Sequence, residues 1–95
     1  MKLIVSRVAA ADLGRLHAFL LDKNPSAAAK AVAVLTDAVQ SLEILPSRGR
    51  PSGVPGVREL IVPFGGSAYV IRYAHTAKTK EVFILRIWHG REARG

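Results

Sequence analysis

Asn24-Pro25 interrupts a long stretch of helical periodicity, and it constrains the whole first half of the chain. Asparagine is a favoured N-cap, because its side-chain oxygen accepts a hydrogen bond from a free helix N–H. Proline suits the first helical position, where the N–H it lacks would have no intrahelical partner. A helix therefore begins at this dipeptide, and any helix before it ends there. On the N-terminal side Ala9, Leu13, Leu16 and Leu20 recur at helical spacing, with Phe19 beside them. Asp12, Arg15 and Lys23 fall away from that stripe. Gly14 weakens this first helix without forbidding it. On the C-terminal side Ala28, Val32, Leu35, Val39 and Leu42 form a second stripe, and Pro46 marks its end. So short a gap predicts an antiparallel helical hairpin.

The flanking segments change period. Leu3, Ile4 and Val5 form a short β-prone run. The segment SRGRPSGVPG, Ser47 to Gly56, is rich in Gly, Pro and Arg and reads as a loop. Three strands are expected after it, at residues 57–63, 68–75 and 81–88. Gly65-Gly66 and residues 76–80 supply the turns. The order is β-α-α-β-β-β. It predicts an α+β fold, with the helical hairpin packed on an antiparallel sheet whose last three strands form a meander. With 95 residues, one domain covering residues 1–95 is expected.

Side chains two apart share a strand face. Arg58 goes with Leu60 and Val62, Arg72 with Ala68 and Val70, and Arg86 with Val82, Ile84 and Trp88. The opposite faces carry Ile61, then Tyr69, Ile71 and Tyr73, then Phe83, Leu85 and Ile87, and these are expected to meet the helices. If the three arginine faces coincide, the far side of the sheet is cationic and partly apolar. Guanidinium groups there would suit phosphate or carboxylate. Each arginine could equally be a solvated strand residue or pair with Glu59 or Glu81.

The charge balance points the same way. Fourteen Lys and Arg against seven Asp and Glu give a formal charge of +7 and a pI near 10.6. A small domain this basic suits a polyanionic partner: nucleic acid, an acidic protein segment or an anionic membrane surface. Without cysteine there is no disulfide framework and no thiolate metal site. The apolar run at Leu3–Val5 is too short for a signal peptide, and nothing approaches a membrane span, so a soluble cytoplasmic protein is expected. His17, His75 and His89 show no metal-ligand spacing, so neither a metal nor a cofactor is expected. Phosphodiester cleavage would need a base, an acid and cationic stabilisation, which His89, Tyr69, Glu59 and the arginines could supply.

Several stretches together carry a resemblance. They are ADL-x-x-L in the first helix, KNPSAA at the hairpin, LP-x-x-GRP in the loop, PGVREL, YVIRY and the closing ILRIWHGRE. In this order and spacing the chain resembles the RelE/ParE superfamily of toxins from type II toxin–antitoxin systems. The resemblance implies a small basic toxin neutralised by a cognate antitoxin in a hetero-oligomer. RelE-like members cut mRNA on the ribosome; ParE-like members poison DNA gyrase. Val70 stands where RelE-like chains carry an arginine after the tyrosine of the third strand, although Arg72 is on the same face. Arg91 matches a basic position that RelE-like toxins use. REARG carries no tyrosine of the kind RelE-like toxins place in the C-terminal segment. The pattern leans to ParE: gyrase inhibition by binding, with Arg58, Arg72, Arg86, His89 and Arg91 meeting the target and no catalytic residue assigned. Under the RelE alternative, with ribosome and mRNA as targets, His89, Arg91 and Arg72 are the catalytic candidates. Leu16, Phe19, Leu20, Val32, Leu35 and Trp88 are the expected antitoxin contacts.

Overall fold

The structure, a computed structural model, describes residues 1–78 and 80–92. Thr79, in the turn expected at residues 76–80, and residues 93–95 of the closing REARG lie outside them. The elements are β1 (Lys2–Val5), α1 (Arg7–Lys23), α2 (Pro25–Ser41), β2 (Arg50–Pro51), β3 (Val57–Phe64), β4 (Ser67–Thr76) and β5 (Glu81–His89). They form an α+β fold with a five-stranded sheet in the order β1-β5-β4-β3-β2. β3, β4 and β5 form the expected antiparallel meander. The sheet as a whole is mixed, because β1 pairs with β5 in parallel from Lys2↔Glu81 to Val5↔Ile84. A parallel neighbour needs a long crossover, and everything between β1 and β5 provides it. The two-residue β2, paired with Arg58 and Glu59, has no sequence signature of its own.

Asn24 acts at both ends of the hairpin. Its backbone N–H donates to Leu20 O and closes α1, while its Oδ1 accepts from Ala27 N at 3.1 Å and opens α2. Ser6 starts α1 in the same manner, its Oγ accepting from Ala9 N at 2.9 Å. That hydroxyl also donates to Leu85 O at 3.0 Å, which ties the helix start to β5.

The core lies between the hairpin and one sheet face. Ala9, Leu16, Ala31, Leu35, Ala38 and Leu42 come from the helices, and Leu60, Val62, Tyr69, Ile71, Tyr73, Val82, Ile84 and Ile87 from the sheet. Two of the expected faces are therefore corrected. In β3 it is Leu60 and Val62 that turn inward, and Ile61 is 38% exposed. Pairing of Leu60 with Ile71 and Val62 with Tyr69 decides this, since directly paired residues share a face. In β5 the pairing jumps from Arg72↔Arg86 to Tyr73↔Ile84 and skips Leu85. This β-bulge shifts the alternation, so Val82, Ile84 and Ile87 face the core rather than Phe83, Leu85 and Ile87.

Tyr73 fastens the loop after α2 to the sheet. Its hydroxyl donates to Pro46 O at 2.7 Å and accepts from Gly49 N at 2.8 Å. Gly49 has to be glycine for space: a Cβ there would sit 2.7 Å from the Tyr73 hydroxyl and 2.9 Å from Glu59 O. Tyr73→Phe should cost about 1–3 kcal/mol, because it leaves the buried Gly49 N–H without an acceptor. Gly49→Ala should destabilise by a similar amount through overpacking, about 1–3 kcal/mol. Urea unfolding checks both; midpoints unchanged from the parent protein would show that this fastening contributes nothing.

Candidate functional site

β1 stops opposite Ile84, and β5 continues to His89 with that edge uncovered. An open edge presents unpaired backbone groups. Here α1 covers it, and the carboxylate of Asp12 takes the place of a strand. Asp12 Oδ2 accepts from Ile87 N at 2.9 Å and from Arg86 Nε at 2.8 Å. Its Oδ1 accepts from Arg86 Nη2 at 3.2 Å and from Arg15 Nη2 at 3.3 Å. Asp12 is only 4% exposed. Burial alone would raise its pKa, but the hydrogen bonds from Arg86, the Ile87 N–H and Arg15 outweigh it and hold the carboxyl below its ordinary value.

The exit from β5 is tied to the same helix. Arg15 bridges Asp12 and Glu92, donating to Glu92 Oε1 through Nη1. Glu92 Oε2 accepts from His89 N at 3.0 Å. The Glu92 bond, together with Asp12, raises the Arg15 pKa. His89 sits edge-on to Tyr69, with ring centroids 5.4 Å apart. Its Nδ1 accepts from Arg91 N at 3.2 Å. Burial, and then the charge of Glu92, pushes the Tyr69 phenol up.

Away from the helices, Glu59 receives Arg72 through Nε at 3.1 Å and Nη2 at 2.8 Å, both on Oε2. Arg50 approaches Glu59 Oε1 at 3.7 Å. The Arg72 guanidinium lies 5.0 Å from the Trp88 ring centroid, within cation–π range. Val70, paired with Trp88, is buried beside it.

The five residues expected to meet the target do not form one surface. Arg72 and Arg86 are cross-strand partners, although the Arg86 guanidinium turns to Asp12. His89 and Arg91 lie together at the exit of β5. Arg58 pairs with Tyr73, so it is on the helix-side face, and its Nη1 donates to Gly49 O at 2.7 Å. The arginine faces therefore do not coincide, and register is the reason. Among the expected antitoxin contacts, Leu16, Leu35 and Trp88 are enclosed, at 5%, 1% and 5% exposure. Phe19 is 60% exposed, with Lys23 Nζ 4.8 Å over its ring, and Leu20 and Val32 are half-buried. Sequence reasoning missed Asp12. Its signal was the spacing from Ala9 and to Leu16, three and four residues, which puts it on the buried face. Among the described residues no three His, Cys, Asp or Glu side chains converge as for a metal ion. Nor, among them, is any helix long and apolar enough to cross a membrane.

Comparison with known proteins gives a consistent result. A family model described as the ParE toxin of type II toxin–antitoxin systems, parDE, matches residues 3–94. The chain is 46% identical over 91 residues to Toxin RelE1 of Caulobacter vibrioides, covering 96% of this chain and 95% of that one. It is 35% identical over 83 residues to Toxin RelE3 of the same organism, covering 87% of each. A chain from the solved chromosomal ParDE TA system of P. aeruginosa superposes with a TM-score of 0.79 at 34% identity, covering 94% of this chain and 95% of that one.

The Asp12 arrangement sets a pH dependence. The folded chain favours the ionised carboxyl more than the unfolded chain does. Its stabilisation is thus complete above the unfolded carboxyl pKa of about 3.9, and it is lost as pH falls through the lower folded value. Urea midpoints from about pH 7 down to about pH 3 should fall less steeply in Asp12→Asn than in the parent. Asp12→Ala, which leaves the Ile87 N–H unmatched, should cost about 1–3 kcal/mol at neutral pH. Parallel pH profiles for parent and Asp12→Asn would exclude Asp12 as the titrating group.

Proposed function

Because the chain belongs to the ParE toxin family of type II toxin–antitoxin systems, we propose that it arrests growth by binding DNA gyrase. It is a toxin, and a cognate antitoxin is the partner that this family implies. The gyrase target rests on the state of the polar groups at the end of β5. Cleavage of RNA needs a base to take the 2′-hydroxyl proton and a cation for the developing charge. Tyr69 is pushed toward its protonated form, His89 Nδ1 is occupied, and Glu92 is engaged by Arg15 and His89 N. Arg72 and Arg86 already carry carboxylate partners. What remains is a surface of donors and cations fit to hold an acidic protein surface. His89 and Arg91 are its main contacts, with the part-exposed guanidinium groups of Arg72 and Arg86 adding positive charge beside them, and the toxin acts in the cytoplasm, where gyrase works.

A second reading, ribosome-dependent mRNA cleavage, draws on the Tyr69–His89 pair with Arg91 exposed beside it. Two assays separate the readings. Purified toxin should inhibit supercoiling by gyrase and leave mRNA on translating ribosomes intact. Arg91→Ala and His89→Ala should weaken gyrase inhibition in a graded way, by up to about tenfold per lost contact of about 1.4 kcal/mol. Cleavage of mRNA in the ribosomal A site, abolished by either substitution with ribosome binding kept, would move the chain to the endoribonuclease class.

The antitoxin would cover the hairpin around Phe19, Leu20 and Val32, with acidic residues meeting the basic surface. A partner drawn to a chain of charge +7 should associate more slowly as salt rises from about 0.05 M to about 0.5 M, which stopped-flow mixing can follow. An association rate indifferent to ionic strength would remove the electrostatic part of this reading.

A further inference from the structure

A cavity of about 450 Å³ opens between the loop that carries β2 and the end of β4, away from the exit of β5. Pro51, Val54, Pro55 and Val57 form apolar walls, and Arg58 and His75 supply the nitrogen groups. Among the described residues no Asp or Glu lines it. The loop is held in shape from within. Arg58 Nη1 donates to Gly49 O at 2.7 Å, and Ser52 N to Val57 O at 3.1 Å. Val57 N donates to Val54 O, and His75 N to Gly56 O, both at 3.0 Å. Gly53 and Gly56 have φ of 96° and 77°, a region that other residues rarely adopt and that these turns require. The site is therefore formed before anything enters it.

Its polar groups are incompletely used. Among the described residues only the Gly49 carbonyl takes a hydrogen bond from the Arg58 guanidinium. His75 Nδ1 is buried and has no hydrogen-bond partner. A guanidinium with open donors favours an anion. The walls decide which anion. Nucleobases are held by stacking on aromatic side chains, and among the described residues no Phe, Tyr or Trp lines this cavity. Phosphate is usually gathered by several cations, whereas here one guanidinium stands among prolines and valines. A carboxylate on an aliphatic stem, with apolar neighbours along its chain, matches both walls.

We propose that this cavity is a docking site for an acidic segment of a partner protein, which places a Glu or Asp carboxylate on Arg58 and packs flanking aliphatic side chains on Val54 and the two prolines. The net charge of +7 favours such a partner. Val54, 60% exposed at the mouth, offers the entering segment its first apolar contact. The site is separate from Arg72, Arg86 and the exit of β5, and it stands whichever target the toxin has.

The test uses the full chain labelled with nitrogen-15 and the probe peptide acetyl-Leu-Glu-Leu-amide. Saturable shifts are expected at the amides of Gly53, Gly56, Val57 and Arg58 and at the His75 ring. Acetyl-Leu-Gln-Leu-amide should bind at least about tenfold more weakly. Arg58→Met should abolish the response. Because Arg58 also bonds Gly49 O, Val54→Asp serves as a second variant that leaves the internal bonds intact and repels the carboxylate. It too should weaken binding about tenfold or more. Inorganic phosphate and adenosine monophosphate are the competing probes. The proposal is overturned if either binds more tightly than the peptide, if the glutamine peptide binds equally well, if Val54→Asp binds like the parent, or if nothing saturates by about 10 mM.

Discussion

The carboxylate of Asp12 is the contact on which the arrangement of this molecule turns. A sheet whose edge strand spans four residues beside a neighbour of nine leaves half of that neighbour uncovered. α1 leaves β1 at that place, so a helix rather than a strand must satisfy the edge. A helix surface presents no free backbone groups, and a side chain has to do it. Asp12, about one and a half turns into α1, does so for Ile87 and binds two guanidinium groups as well. Taking a carboxylate out of water is costly, and a buried ion pair often fails to recover that cost. Here both arginines keep their side chains 47% exposed, so only the anion is desolvated, and four donors replace its water.

The other features of the β5 exit follow from this contact. The bulge at Leu85 lets Ile84 and Ile87 both face the core, and Arg86 falls between them with its guanidinium on Asp12. Arg15, already on Asp12, extends to Glu92, and Glu92 takes the His89 N–H. One helix thus sets the direction of the last strand and of the turn beyond it. Arg86 and His89, in the polar cluster at the end of the chain, both take part in this attachment.

The helical half of the fold was legible because Asn24-Pro25 acts locally: cap and proline both work within a turn, and the apolar stripes on either side follow from them. The strands were legible as strands but not as faces. In β3 Leu60, Ile61 and Val62 are all apolar, so alternation alone gives either answer, and only the pairing with β4 selects one. In β5 the bulge breaks the alternation itself, and nothing in EVFILRIWH marks Leu85 as the extra residue. The functional residues suffered from the same limit. Deciding whether Arg58 shares a face with Arg72 required the cross-strand register, which is a long-range property. Asp12 is a different case, because its spacing was visible. Its charge argued for solvent, and the partners that reverse that argument lie more than seventy residues away in sequence.

The proposed reading of binding over cutting draws its support from the bonding at the end of β5. A nuclease centre needs a group free to accept a proton, and the carboxylates here are already committed. The carboxylates of Asp12 and Glu92 hold backbone N–H groups and guanidinium groups that maintain the fold. His89 Nδ1 receives the Arg91 amide. Tyr69 is driven toward its neutral phenol by burial and by Glu92. Freeing either carboxylate for catalysis would loosen the attachment of β5 to α1. A binding surface has no such conflict, since the exposed Arg91 can engage a carboxylate without surrendering an internal bond. The same bonds that complete the sheet edge therefore hold both carboxylates at this site, which is what supports the binding reading proposed above.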